Sequence, residues 1–139
     1  MRQATQEIES DLRVIYRKDL CRLSCSDSGI IHSIMERGAV FSAQGARLIM
    51  EDYVTLCEGV AMPLLFDLSH IQSADIRAFD VFLEEKAKEL IKVLGMVTNS
   101  PVAKVAASLF LGLKQVPYSA KMFTNRSEAQ SWLISYWDQ

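Results

Sequence analysis

Pro63-Leu64-Leu65-Phe66-Asp67-Leu68-Ser69-His70-Ile71, followed by Ser73-Ala74-Asp75, is the stretch whose reading decides the fold. An apolar run ends in an acidic residue, a short polar loop follows, and a helical pattern begins. Open α/β sheets place their sites where a buried strand delivers its C-terminal end to a loop. Leu64 to Phe66 is therefore read as a short buried strand, bounded by Pro63 and Asp67.

Working back from it, Ala46, Ile49, Met50, Tyr53, Val54 and Cys57 fall at helical spacing, and Gly59 supplies a helix stop. Before that helix, Cys21-Arg22-Leu23-Ser24-Cys25 alternates as a half-buried strand does. Ser26-Asp27-Ser28-Gly29 is a turn signal and Ile30 to Met35 reads as a second strand, so the two form an antiparallel hairpin. Leu12 to Tyr16 fits a strand or a short helix equally well. Residues 1–19 are set apart as an N-terminal extension of uncertain structure, with residues 20–139 as one α/β domain.

Working forward, Ile76, Phe79, Leu83, Ala87, Leu90 and Ile91 trace the inner face of a second helix. Leu94 to Thr98 is a third buried strand. Ser100-Pro101 starts a third helix, with Ser as N-cap and Pro at the first helical position. Val102, Val105, Ala106, Leu109, Phe110 and Leu113 are read as carrying it. Ala120 to Phe123 is a last strand, and Asn125 with Glu128 forms a capping-box variant before a helix buried by Ala129, Trp132, Leu133 and Tyr136. The expectation is an α/β fold: an N-terminal antiparallel hairpin leading into a mostly parallel sheet with packed helices.

Composition bounds the function. The chain has 139 residues, half of them apolar and 23% charged, with a formal net charge of -2. One ordinary domain fits this length, and no basic field argues for nucleic acid. No apolar run reaches the roughly 18 residues a membrane span needs. Three cysteines without metal-type spacing read as reduced thiols in a cytoplasmic protein. No Gly-x-Ser-x-Gly elbow or Gly-rich phosphate loop occurs.

Two loops hold the candidate ligand or partner residues. Asp67, at a buried strand end, either binds a cation or ligand group or accepts backbone N–H bonds and pins its loop. His70 and Asp75 would complete a small metal or acid–base cluster, but the spacing is not zinc-like and no metal site is assigned. Thr98-Asn99-Ser100-Pro101 carries a strand into a helix N-terminus, which attracts anions, with Lys104 one turn in. Its plain alternative is an ordinary capped helix. Cys21 and Cys25 share one strand face, as redox sensors if exposed or as small core residues.

The layout resembles the STAS domain of bacterial anti-sigma-factor antagonists and sulfate-transporter tails. Asp67-Leu68-Ser69 matches the family's strand end, Ile71 an apolar loop position and Asp75 its acidic position. Ile76 stands where the phosphorylatable Ser would be, followed by Arg77 and Ala78. Ser100 to Lys104, Phe123 to Asn125 and Trp132-Leu133 resemble a divergent, uncharacterised bacterial group of STAS-like proteins. The resemblance spans about residues 20 to 137 and implies a STAS-like fold. It also implies a non-catalytic, regulatory protein-interaction module, without cofactor and without the usual phosphorylatable serine. In the resembled family the second helix and the loop before it contact partners, which puts Arg77 on the expected partner surface. Asp67, Ser69, His70 and Asp75, with Asn99 and Ser100 of the loop before the third helix, are the ligand or partner loop residues. Phe79 or Phe82 is the expected anchor, because the core has room for only one of them. A homodimer is expected, because the chain holds more rings near its C-terminus than a small domain has room for, and Trp137 lies off the buried stripe. The alternative is a carrier or sensor for a small anionic or lipid-like ligand in a cleft near Asp67, His70 and Asn99. A third option is an enzyme using Asp67 and His70.

Overall fold

The computed structural model describes residues 13–138. A six-stranded sheet forms its centre, in the order β1-β2-β3-β5-β7-β8. The first strands are β1 (Arg13–Arg17), β2 (Cys21–Cys25) and β3 (Ile31–Met35), paired antiparallel in succession. From β3 onward the pairing is parallel, through β5 (Met62–Asp67), β7 (Ile91–Val97) and β8 (Ser119–Phe123). Arg13–Arg17 settles the open reading of residues 12 to 16 as a strand, so the sheet starts before residue 20. Arg17 explains part of this: its guanidinium makes two bonds, 2.7 and 2.9 Å, to the buried Asp52 carboxylate on the helix behind. The residues before it, 1–12, lie outside the described residues.

Helix α1 (Ala43–Cys57) begins at Ser42, whose hydroxyl accepts from the Gly45 N–H at 3.0 Å. It packs its apolar side on the sheet. Two short strands, β4 (Val40–Phe41) and β6 (Ser73–Ala74), form a separate parallel pair. The sequence pattern does not show them, because two residues are too few to display a period.

The second helix differs from expectation. Residues 76–83 form a 3-10 helix, Glu84 is extended, α2 covers only Glu85–Leu90, and Ile91 already belongs to β7. Ile76, Phe79 and Phe82 recur every three residues, which a three-residue turn places on one side. Phe41, Phe66, Phe79 and Phe82 pack edge-on or tilted, with centroids 4.9 to 6.5 Å apart. Phe110 stacks on Phe79 at 4.8 Å. Aromatic packing in this geometry adds to area burial and holds the 3-10 turn against the sheet.

Helix α3 (Pro101–Leu113) lies on the same face as α1, while α4 (Arg126–Ile134) covers the other face. There Ala129 and Leu133 meet Ile30, Leu65, Val93 and Val97. Gly95 makes the close approach possible: a Cβ on it would stand 3.2 Å from Leu133 Cδ1. A final 3-10 turn (Ser135–Asp138) brings the Trp137 indole N–H to the Gly29 carbonyl at 3.0 Å. The ring off the helical stripe thus closes on the β2–β3 turn of its own chain.

Candidate functional site

Asp67 ends β5 on the α4 face of the sheet. It is 3% exposed, and its carboxylate accepts the Ser69 backbone N–H at 2.9 Å and the Arg126 Nε–H at 2.6 Å. Arg126 opens α4, so the bond ties the strand end to the α-helix that covers that face. A buried carboxylate needs such partners, because leaving it unpaired costs several kcal/mol. Ser69 is also buried, and its hydroxyl accepts the Asn99 N–H at 3.1 Å. The Leu68 N–H donates to the Val97 carbonyl at 2.9 Å. The loops after β5 and β7 are therefore laced together through Asp67, Ser69 and Asn99.

Ser100 caps α3, accepting the Ala103 N–H at 3.2 Å. With Asn99 bonded to Ser69 and no N–H on Pro101, this helix start offers an incoming anion little beyond the Val102 N–H. The expected anion site at the tip of α3 is narrowed accordingly. His70 is exposed, and its carbonyl accepts the Gly38 N–H at 2.9 Å. Asp75 accepts the Arg77 backbone N–H at 2.9 Å and pairs with its guanidinium at 3.0 Å. Those bonds to Arg77 hold the Asp75 carboxyl below its ordinary value. Asp67, His70 and Asp75 are not brought together. Among the described residues no group of three or more His, Cys, Asp or Glu is placed to hold a metal.

Phe79 and Phe82, expected as docking anchors, are fully buried. The 3-10 turn directs both into the aromatic cluster, so neither can serve a partner. Helix α3 also departs from expectation. Its inner face is Ala103, Ala106, Ala107 and Phe110, and Val102, Val105, Leu109 and Leu113 face solvent with exposures of 43, 60, 42 and 71%. The spacing of α3 fits either orientation, since apolar residues occupy both sides. Only the run of three inner alanines hints that the helix sits close to the sheet.

Two of the three thiols are internal, and Cys25 is half-buried. Cys21 and Cys57 are buried, and burial pushes their pKa up to about 12 and about 11. His32, on β3, lies on the α4 face with Nε2 buried and no hydrogen-bond partner among the described residues. Burial, then the nearby Arg126 charge, lowers its pKa. It was not among the site candidates, and a histidine inside a hairpin strand carries no pattern that would have marked it.

Among the described residues, no helix is long and apolar enough to cross a membrane. No curated protein matches the chain. An uncharacterised protein of the DUF3478 family from Shewanella loihica, with a SpoIIAA-like fold, is similar in structure. It matches with a TM-score of 0.51 and 14% identity, over 91% of this chain and 99% of that one. That likeness shows the fold, which is SpoIIAA-like and hence STAS-like. The family model described as a domain of unknown function, DUF7793, matches residues 24–137, and the chain belongs to that family.

Proposed function

We propose that this chain is a non-catalytic STAS-type interaction module that pairs with a second copy of itself through the outer face of α3. The observation that carries the reading is the exposed row Val102, Val105, Leu109 and Leu113. Spacings of three, four and four residues keep these side chains on one line along the helix. Beside them runs an open groove of about 470 Å³, lined by Ala74, Ile76, Pro101 and Ala106 among others. Contiguous apolar surface of this kind marks an interaction site.

The row is self-complementary. Two antiparallel copies of α3 set Val102 opposite Leu113 and Val105 opposite Leu109, about one centre near residue 107. Lys104 is the only charged residue among the 13 of the helix, so the surface lacks a charge pattern that would select a different partner. An enzyme built on Asp67 and His70 has little support, because the Asp67 carboxylate is occupied by Ser69 and Arg126. The usual phosphorylation switch has none at its own position, where Ile76 has no hydroxyl. Ser69 is buried and holds Asn99, which leaves Ser73 as the exposed hydroxyl of this loop.

Sedimentation velocity tests the reading. The chain is expected to dimerise at micromolar concentration, and Leu109→Glu to be monomeric with an unchanged melting temperature. A chain that stays monomeric at high micromolar concentration, or a Leu109→Glu variant that still dimerises, overturns it.

A further inference from the structure

The foot of the sheet, where β1 and β3 begin and β2 ends, also receives the end of α1. Arg13 marks the meeting point. It stands directly opposite Cys25 in the β1–β2 register, so the two side chains share one face of the sheet. Its guanidinium donates to the Leu56 carbonyl at 2.5 Å and to the Glu58 carboxylate at 2.7 Å. The last carbonyls of a helix have no partner within it, and Arg13 supplies one. Leu56 and Glu58 are the chain neighbours of Cys57. One side chain therefore runs from beside Cys25 to both sides of Cys57.

The two thiols meet in the same core. Cys25 is half-buried and packs against the cluster that holds Cys57, which is 3% exposed. Burial raises the Cys57 pKa, and the neighbouring Cys25 adds to the rise. The Cys25 thiol donates only to the Ser26 carbonyl, at 3.8 Å, and a thiol is a weak donor. Cys21 is a different case. It shares a strand face with Cys25, but a separation of four strand residues spans about 13 Å. That is about twice the Cα separation a disulfide bridges. The cysteines that the fold brings together are Cys25 and Cys57, from β2 and the last turn of α1.

We propose that Cys25 and Cys57 form a thiol–disulfide switch, closed by exchange with a small disulfide such as oxidised glutathione. The half-buried Cys25 receives the oxidant. Its thiolate attacks one sulfur, the S–S bond of the oxidant breaks, and a mixed disulfide forms on Cys25. One glutathione leaves as thiolate and takes up the proton that Cys25 lost. The Cys57 thiolate then attacks the Cys25 sulfur, the mixed disulfide breaks, and the second glutathione leaves in the same way. Two thiols of the chain are oxidised to a disulfide, and the disulfide of the oxidant is reduced to two thiols. The product fastens the end of α1 to β2 beside the Arg13 clamp, as a covalent tie at the same joint. This joint lies at the opposite end of the sheet from Asp67 and apart from the α3 row, and it stands whether or not the chain dimerises.

The test is incubation of the full chain with oxidised glutathione at mildly alkaline pH, followed by alkylation of free thiols, intact-mass measurement and peptide mapping. The chain should lose two hydrogens in mass, yield a peptide that links Cys25 to Cys57, and regain both thiols in dithiothreitol. Cys21→Ala should behave likewise, and Cys57→Ala should stop at a glutathione adduct on Cys25. Closure should speed up about tenfold per pH unit, because the Cys57 pKa is pushed up to about 11 and each unit below it holds a tenth of the thiolate. Arg13→Ala should lower the melting temperature of the reduced chain more than that of the oxidised chain, and equal losses would overturn the shared joint. A glutathione adduct that persists on Cys25 of the unaltered chain, a link that includes Cys21, or no reaction at Cys25 overturns the switch. Those three outcomes are read in the unaltered chain, so they decide the matter even where a variant fails to fold.

Discussion

Helices α1 and α3 lie on the same face of the sheet and turn opposite kinds of side chain to solvent. The outer positions of α1 are Gln44, Arg47, Glu51 and Thr55, while Ile49, Met50, Tyr53 and Leu56 go into the core. On α3 the outer positions are Val102, Val105, Leu109 and Leu113, and the core receives Ala103, Ala106, Ala107 and Phe110. Burial of a larger aliphatic side chain is worth more than burial of alanine. Helix α3 nevertheless gives its smallest residues to the sheet. The difference separates a helix whose whole apolar content serves the fold from one whose apolar content exceeds what the fold uses. That excess is the material of the proposed self-association.

The sharpest challenge to this comparison is within α3 itself. Phe110→Ala, which removes the ring stacked on Phe79, is expected to cost about 3–5 kcal/mol in urea unfolding. Leu109→Ala, one residue away, should cost no more than about 0.5 kcal/mol in the monomer. Equal losses at the two positions would mean that α3 is not oriented as described. On the opposite face of the sheet, Arg126→Ala is expected to cost about 2 kcal/mol, because it strips the buried Asp67 carboxylate of its charged partner. A loss near zero would show that Asp67 does not anchor α4.

Ser42→Ala and Ser100→Ala remove equivalent caps and should each cost about 1 kcal/mol. A much smaller loss at Ser100 would identify α3 as the less firmly seated helix of the two. The smallest effect is on pH dependence. His32 has a lowered pKa in the folded chain, so below its unfolded value of 6.5 the unfolded state binds more protons than the folded one. Stability should therefore fall as the pH drops through 6.5 towards the lowered value, and be unaffected by this group above that. Melting temperatures from pH 7.5 to 5 in the chain and in His32→Leu test it: the substitution should flatten the slope.

Much of the fold was legible in one dimension. Alternation at Cys21–Cys25, the turn before Ile30, the short apolar run ending at Asp67 and the caps at Ser100 and Asn125 are local signals. Each reports a backbone preference that acts within a few residues. The Asp67-Leu68-Ser69 stretch also pointed to the correct fold family. Less of the site was legible. Arg126 is far from Asp67 in sequence, and nothing local marks it as the partner of that carboxylate.

The residues alone determined most of the longer strands and helices, because side-chain period, caps and breakers act locally, while Arg13–Arg17, the two-residue strands and the 3-10 turn over 76–83 were left to the tertiary structure. The tertiary structure alone decided which way those segments face and what they exclude. The 3-10 turn over 76–83 exists because the phenylalanines of four segments fit together only when Phe79 and Phe82 both point inward. Helix α3 shows its valines and leucines because the space above the sheet, already filled by Phe79 and its neighbours, admits alanines and one stacked ring. Orientation is a question of volume shared among distant residues, and a sequence pattern that is apolar on both sides leaves it open until the core is packed.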